Sequence, residues 1–217
     1  LLDEGSALRE LTHPRIPDFV CEGSITNSLG EEVRVLVMEY IEVPSLKEEL
    51  RFLSRRGMTD SIESSRKTIL QICEALEYMA DQDPPMYHRD VKPANIMVDP
   101  EKGAILIDFG LAKGVSAGTD VSLSRGLSEG WSPPERRDGI SGGFTDVFSL
   151  GQVLWHMLTG ERPFHALSEE EINEKLQEKG HPSWVAGLIH SSAQRRDRRI
   201  QSVAEFRIWL ENGEEHE

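Results

Sequence analysis

His88-Arg89-Asp90-Val91-Lys92-Pro93-Ala94-Asn95, followed thirteen residues after Asn95 by Asp108-Phe109-Gly110, is the stretch on which the reading of this chain turns. It gathers groups of complementary chemistry within a short span. Asp90 is a carboxylate able to accept a proton, and Lys92, two residues on, is a cation with reach to the same place. Asn95 and Asp108 offer hard oxygen ligands, one neutral and one anionic, of the kind Mg²⁺ prefers when water and phosphate oxygens fill its other positions. Either string alone is weak, because an isolated Asp is more often a turn residue or a helix cap. Order, spacing and setting together make the signal.

Outward from this stretch, short apolar runs at Ile96-Met97-Val98 and Ala104-Ile105-Leu106-Ile107 flank the turn residues Pro100 to Gly103, which predicts a hairpin. On the N-terminal side Ile69, Ile72, Cys73, Leu76 and Met79 recur at helical steps in a helix of about five turns that stops near Asp83-Pro84-Pro85. Before it, Asp18 to Thr26 and Val33 to Tyr40 read as two antiparallel strands about the turn Asn27 to Gly30. Leu8 and Leu11 share a face of a short helix over residues 2 to 11, ended by His13-Pro14. On the C-terminal side residues 114 to 130 form a loop long enough to suspect function. Val147, Leu150, Val153, Leu154, Trp155, Met157 and Leu158 cover nearly every side of a helix, which requires burial among other helices. Two or three amphipathic helices follow, the last from Val203 to Leu210 with Asn212-Gly213 as its stop.

The 217 residues carry 38 acidic against 24 basic side chains, a formal charge of -14 that repels nucleic acid and anionic membrane surfaces. With 38% hydrophobic residues the chain can bury a core, and it is expected to be globular. Cys21 and Cys73 lie far apart and without neighbouring ligand-type residues, so reduced core thiols are expected instead of a disulfide framework or a zinc site. No apolar run reaches the roughly 18 to 20 residues of a membrane span.

The two strings resemble the catalytic loop and the magnesium motif of eukaryotic-type protein kinases, and wording such as Gln201-Ser202-Val203-Ala204-Glu205-Phe206 looks most like bacterial members. The resemblance implies an α+β, bilobal fold: a partial N-terminal lobe over residues 1–41 and a helical C-terminal lobe over residues 42–217. It implies an ATP-dependent protein Ser/Thr kinase using Mg²⁺, acting on protein Ser/Thr hydroxyls and on itself by autophosphorylation, and facing the cytosol even in a membrane-anchored parent. Asp90 is then the base, Lys92 the cation on the transferred group, and Asn95 and Asp108 the metal ligands. The adenine would meet the backbone of Glu39 and Ile41, with Met38 as gatekeeper and Met97 as apolar floor, although Met at such a position is more often core filler. His88, Phe109 and Leu8 would stack between the lobes, and Glu4 would pair with a strand lysine, the alternative being a solvated helix Glu.

Arg89 beside the base resembles kinases whose activation segment is ordered by phosphate, with Thr119, Ser122 and Ser124 as candidate acceptors; a guanidinium that only pairs with a nearby carboxylate is an equal alternative. Leu127-Ser128-Glu129-Gly130-Trp131-Ser132-Pro133-Pro134-Glu135 resembles the family's closing stretch, usually Gly-Thr-x-x-Tyr then Ala-Pro-Glu. It departs by Leu127 for Gly, Ser128 for Thr and Trp131 for Tyr, which bears on substrate preference more than on activity. Glu135 is expected to be buried against Arg199, and Asp146 to hold the catalytic loop from beneath.

Neither a glycine-rich phosphate loop nor an ATP-anchoring lysine strand occurs in the sequence, and both are expected just before Leu1. The 217 residues alone are therefore expected to bind ATP poorly and transfer phosphate slowly or not at all. Two other classes compete. A pseudokinase scaffold would have lost one of the base, lysine or metal ligands, and a small-molecule kinase usually lacks Lys92 and the Pro134-Glu135 stretch.

Overall fold

The structure, a computed structural model, describes residues 8–109, 113–114, 130–164 and 166–213. Glu4, Thr119, Ser122, Ser124, Leu127, Ser128 and Gly110 lie outside the described residues. Strands β1 (Phe19–Thr26) and β2 (Glu32–Met38) pair antiparallel about a turn in which the Asn27 side chain accepts from the N–H groups of Leu29 and Glu31. The pairing sets Cys21 opposite Val37, Gly23 opposite Val35 and Ile25 opposite Val33, so one face of the hairpin is wholly apolar. Among the described residues nothing covers it: Ile25 is 55% exposed and Val37 43%. Cys21 stands exposed on this face, which corrects the expectation that both cysteines are core thiols; only Cys73 is buried.

Helices α1 (Leu46–Ser54) and α2 (Ile62–Ala80) begin at Ser45 and Ser61, whose side chains accept from the N–H three residues on. At Ser45 the box is closed by Glu48, which accepts from the Ser45 N–H at 2.9 Å. The apolar stripe of α2 is buried along Ile69, Ile72, Cys73, Leu76 and Met79, as its spacing predicts. The helix ends at Ala80, a turn before the proline pair.

Short strands then frame the His88–Asn95 stretch: β3 (Met86–Tyr87), β4 (Ile96–Asp99), β5 (Gly103–Leu106) and β6 (Lys113–Gly114). The predicted hairpin is β4–β5, with Ile96 opposite Leu106. The β3–β6 pair joins segments that the sequence left separate.

Helix α3 (Gly143–Thr159) is the centre of the core, buried on every side from Thr145 to Thr159 except at His156. Around it pack α2, α5 (Trp184–Ala193) and α6 (Val203–Asn212), with α4 (Glu169–Glu178) against α5. Gly151 permits the closest of these approaches: a Cβ there would lie 1.7 Å from Ser192 Oγ and 2.7 Å from Ser192 Cβ. Trp155, fully buried, donates its ring N–H to the Arg162 carbonyl at 3.2 Å and meets Phe164 edge to face.

Candidate active site

The register of β4–β5 continues one step past Ile96 and Leu106, where the Ile107 N–H donates to the Asn95 carbonyl at 2.9 Å. Asn95 and Asp108 are thereby delivered to the same open end of the hairpin. Asn95 closes a short 3-10 turn, Pro93–Asn95, and its side-chain amide donates to the Asp90 carbonyl (2.9 Å) and to Asp90 Oδ2 (3.1 Å). Lys92 Nζ reaches the same Oδ2 at 2.6 Å. Asp90 is nearly buried at 5% exposure, and Lys92 and Asn95 both orient its carboxylate.

The backbone beneath is fixed by a carboxylate from the core helix. Asp146, in the first turn of α3, accepts from the N–H of His88 at 3.0 Å and of Arg89 at 2.7 Å. Burial raises the Asp146 carboxyl above its ordinary range, and the His88 ring and the two N–H donors oppose that. The His88 ring lies within hydrogen-bond distance of the Ile107 carbonyl through Nε2 (3.2 Å), and its Nδ1 accepts the Asp90 N–H (3.3 Å). That pair of contacts requires the neutral ring with its proton on Nε2, and burial lowers the imidazole pKa in keeping with it. Phe109 packs edge to face on His88, its centroid 5.2 Å away, and is fully buried like Leu8. Arg89 and Asp108 both hold a left-handed φ of 68°, a conformation non-glycine residues rarely adopt and which concentrates at functional sites.

The hinge candidates line the exit from the first hairpin. Met38 ends β2 and packs against the core, the Glu39 N–H donates to the Asp18 carbonyl at 2.8 Å, and Ile41 is half-buried. Met97 bridges to Ser45 just beyond, and the Val98 N–H donates to the Pro44 carbonyl, which ties β4 to this exit. At the far end Arg199 grips Glu135 with both Nη atoms, the longer contact being 3.3 Å, and also donates from Nη1 to the Phe144 carbonyl and from Nε to the Gln194 carbonyl. The Arg199 side chain is 1% exposed.

Arg136 escaped the sequence reading. It is buried in the Pro134–Asp138 turn and donates to the Arg89 carbonyl, but nothing in a single sequence separates it from its exposed neighbour Arg137. Among the described residues there is no cluster of three His, Cys, Asp or Glu side chains fit to hold a metal by itself, and no helix is long and apolar enough to cross a membrane.

A small antiparallel hairpin feeding a helical body, with a catalytic-type loop anchored on the central helix, defines a protein-kinase-like α+β fold. The chain belongs to the protein kinase domain family, whose sequence model matches residues 1–206. It is 30% identical over 190 residues to the probable serine/threonine-protein kinase PknB of Corynebacterium glutamicum, covering 84% of this chain and 28% of the relative. It is 28% identical over 214 residues to the serine/threonine-protein kinase PknB of Mycobacterium leprae, covering 92% and 33%. The serine/threonine-protein kinase CTR1 of Arabidopsis thaliana is 29% identical over 175 residues, 79% of this chain and 20% of the relative. The chain thus spans a third or less of the length of these curated relatives.

Proposed function

We propose that the protein containing this domain transfers the γ-phosphoryl group of ATP to Ser and Thr hydroxyls of proteins, with Asp90 as the base. The observation that carries the reading is the Asp90 carboxylate, buried, held by Lys92 and Asn95, and seated on a backbone clamped by Asp146. Asp90 aligns the acceptor hydroxyl and takes its proton as the bond to phosphorus forms. Lys92, 2.6 Å from Asp90 Oδ2, offsets the negative charge that develops on the transferred group. Because the Asn95 amide nitrogen is spent on Asp90, its oxygen is the atom left to serve as a metal ligand, and the exposed Asp108 carboxylate adds an anionic oxygen. This donor set fits Mg²⁺, which supplies charge neutralisation on the phosphate oxygens when bound.

Residues 1–41 act as part of the nucleotide-covering lobe and 42–217 as the helical lobe. Met38, the backbone of Glu39 and Ile41, and Met97 receive the adenine. His88 and Phe109 pack the link between the parts, Arg89 receives an activation-segment phosphate, and Glu4 and Ser128 keep the roles expected above. Protein substrates and autophosphorylation, on the cytosolic side where ATP and Mg²⁺ are available, follow from this reading. The relatives' printed names, all serine/threonine-protein kinases, support it.

The test is transfer of labelled γ-phosphate from Mg-ATP by the full-length protein to a generic basic Ser/Thr protein and to itself, beside Asp90→Asn. Label on Ser or Thr that disappears in the variant is expected. ATP binding without transfer by either protein would move the reading to a scaffold or a small-molecule kinase.

A further inference from the structure

Arg136 has no part in the reaction drawn above, yet it is only 8% exposed and lies against the catalytic loop. Its Nη1 donates to the carbonyl oxygen of Arg89 and comes within 3.4 Å of Ser132 Oγ. Among the described residues no carboxylate forms an ion pair with it, and desolvation lowers its pKa against the attraction of Asp90 and Asp146. A guanidinium buried at that cost on a single carbonyl calls for a reason.

The peptide unit it grips is the one that joins Arg89 to the base. Its N–H is taken by His88 Nδ1 at 3.3 Å and its C=O by Arg136, so both polar atoms of that plane are held. One unit earlier, Asp146 takes the Arg89 N–H. Arg89 itself sits at a φ of 68°, which persists only where the surroundings over-determine it. Rotation of the Arg89–Asp90 peptide would swing the Asp90 Cα–Cβ bond and with it the carboxylate. The grip from His88 comes from the loop and that of Asp146 from α3, whereas Arg136 brings its grip from the Pro134–Asp138 turn.

We propose that Arg136 is a positioning residue for phosphoryl transfer, fixing the direction of the Asp90 carboxylate by holding the Arg89 carbonyl and making it depend on how the Pro134–Asp138 turn is seated. This rests on Asp90 being the base. The turn is anchored in turn by Glu135 on Arg199, so the arrangement runs from the C-terminal helical layer to the reacting carboxylate through two adjacent side chains.

The test uses the full-length protein with Arg136→Met, Arg136→Lys and Asp90→Asn, with turnover normalised to the ATP-binding-competent fraction found by nucleotide titration. Arg136→Met is expected to lower kcat roughly tenfold or more while leaving KM for ATP unchanged, because misplacement of a base costs rate and not ground-state binding. Arg136→Lys, which keeps a donor for the carbonyl, is expected to recover much of kcat. Wild-type kcat per competent molecule in Arg136→Met overturns the proposal, as does a loss in which melting temperature and competent fraction fall but kcat does not. Arg136→Gln takes the place of Arg136→Met should that variant fail to fold, with the same outcomes. Wild-type turnover by Asp90→Asn would overturn the assignment of the base, and the proposal with it; an inactive Asp90→Asn beside a fully active Arg136→Met removes the proposal alone.

Discussion

Helix α3 and one face of the β1–β2 hairpin are both apolar, yet their surroundings differ completely. Around α3 nearly every side chain is buried, and Gly151, Trp155 and Gln152 each meet a specific partner on a neighbouring element. On the hairpin, Ile25, Val33 and Val37 share a face that no described residue covers. A two-stranded ribbon is marginal by itself, so the hairpin borrows its stability from Phe19, Leu36 and Met38, which pack on the core from its other side. Apolar composition therefore states what a segment can bury, and only the fold decides whether it does.

The contrast can be broken from its strong end first. Trp155→Ala should cost about 3–5 kcal/mol, read from denaturant midpoints, since its indole fills the middle of the core. Glu135→Ala should cost about 3 kcal/mol by leaving Arg199 charged and buried, and the loss should shrink when Arg199→Met is added, which a double-mutant cycle measures. Gly151→Ala should cost roughly 1–3 kcal/mol by overpacking against Ser192, with partial recovery on Ser192→Gly.

A smaller effect is expected from His88. Its folded pKa is lowered chiefly by burial, while the unfolded ring titrates near about 6.5. Below that pH the unfolded chain takes up a proton that the folded chain refuses, so stability present above about pH 6.5 is lost as pH falls toward the folded value. The raised Asp146 carboxyl acts in the opposite sense. Removing the ring also removes its opposition to that rise, which acts in the same direction: between about pH 7 and about pH 5 the wild type should lose more stability than His88→Gln. Smallest of all, Ile25→Ala should cost less than about 1 kcal/mol. A loss as large as that of a buried isoleucine would show that the hairpin face is covered in the full-length protein.

Much of this was legible from the chain. The apolar steps of α2 and the all-round apolar pattern of α3 are periodic signals set by single elements, and the turn residues from Pro100 to Gly103 announce β4–β5. That Asp90, Lys92 and Asn95 meet could be expected because they lie within six residues of one another. The β3–β6 pair was not, because two-residue strands carry no periodicity. Cys21 went wrong because a strand of mixed apolar and polar residues does not say which face is covered. Arg136 was missed because its meaning lies in a carbonyl 47 residues away.

The Asp146 contact has a consequence in time as well as in geometry. The amide hydrogens of His88 and Arg89 are bonded to a carboxylate in the first turn of the most buried helix. Loops ordinarily surrender such hydrogens to solvent through small local openings, but these two can leave only when α3 loosens its own first turn. Their exchange should run as slowly as that of the core, while the amides along β1 and β2 run ahead of it. The loop from His88 to Asn95 thus keeps the clock of the protein's interior, and whatever loosens the first turn of α3 also frees these two amides.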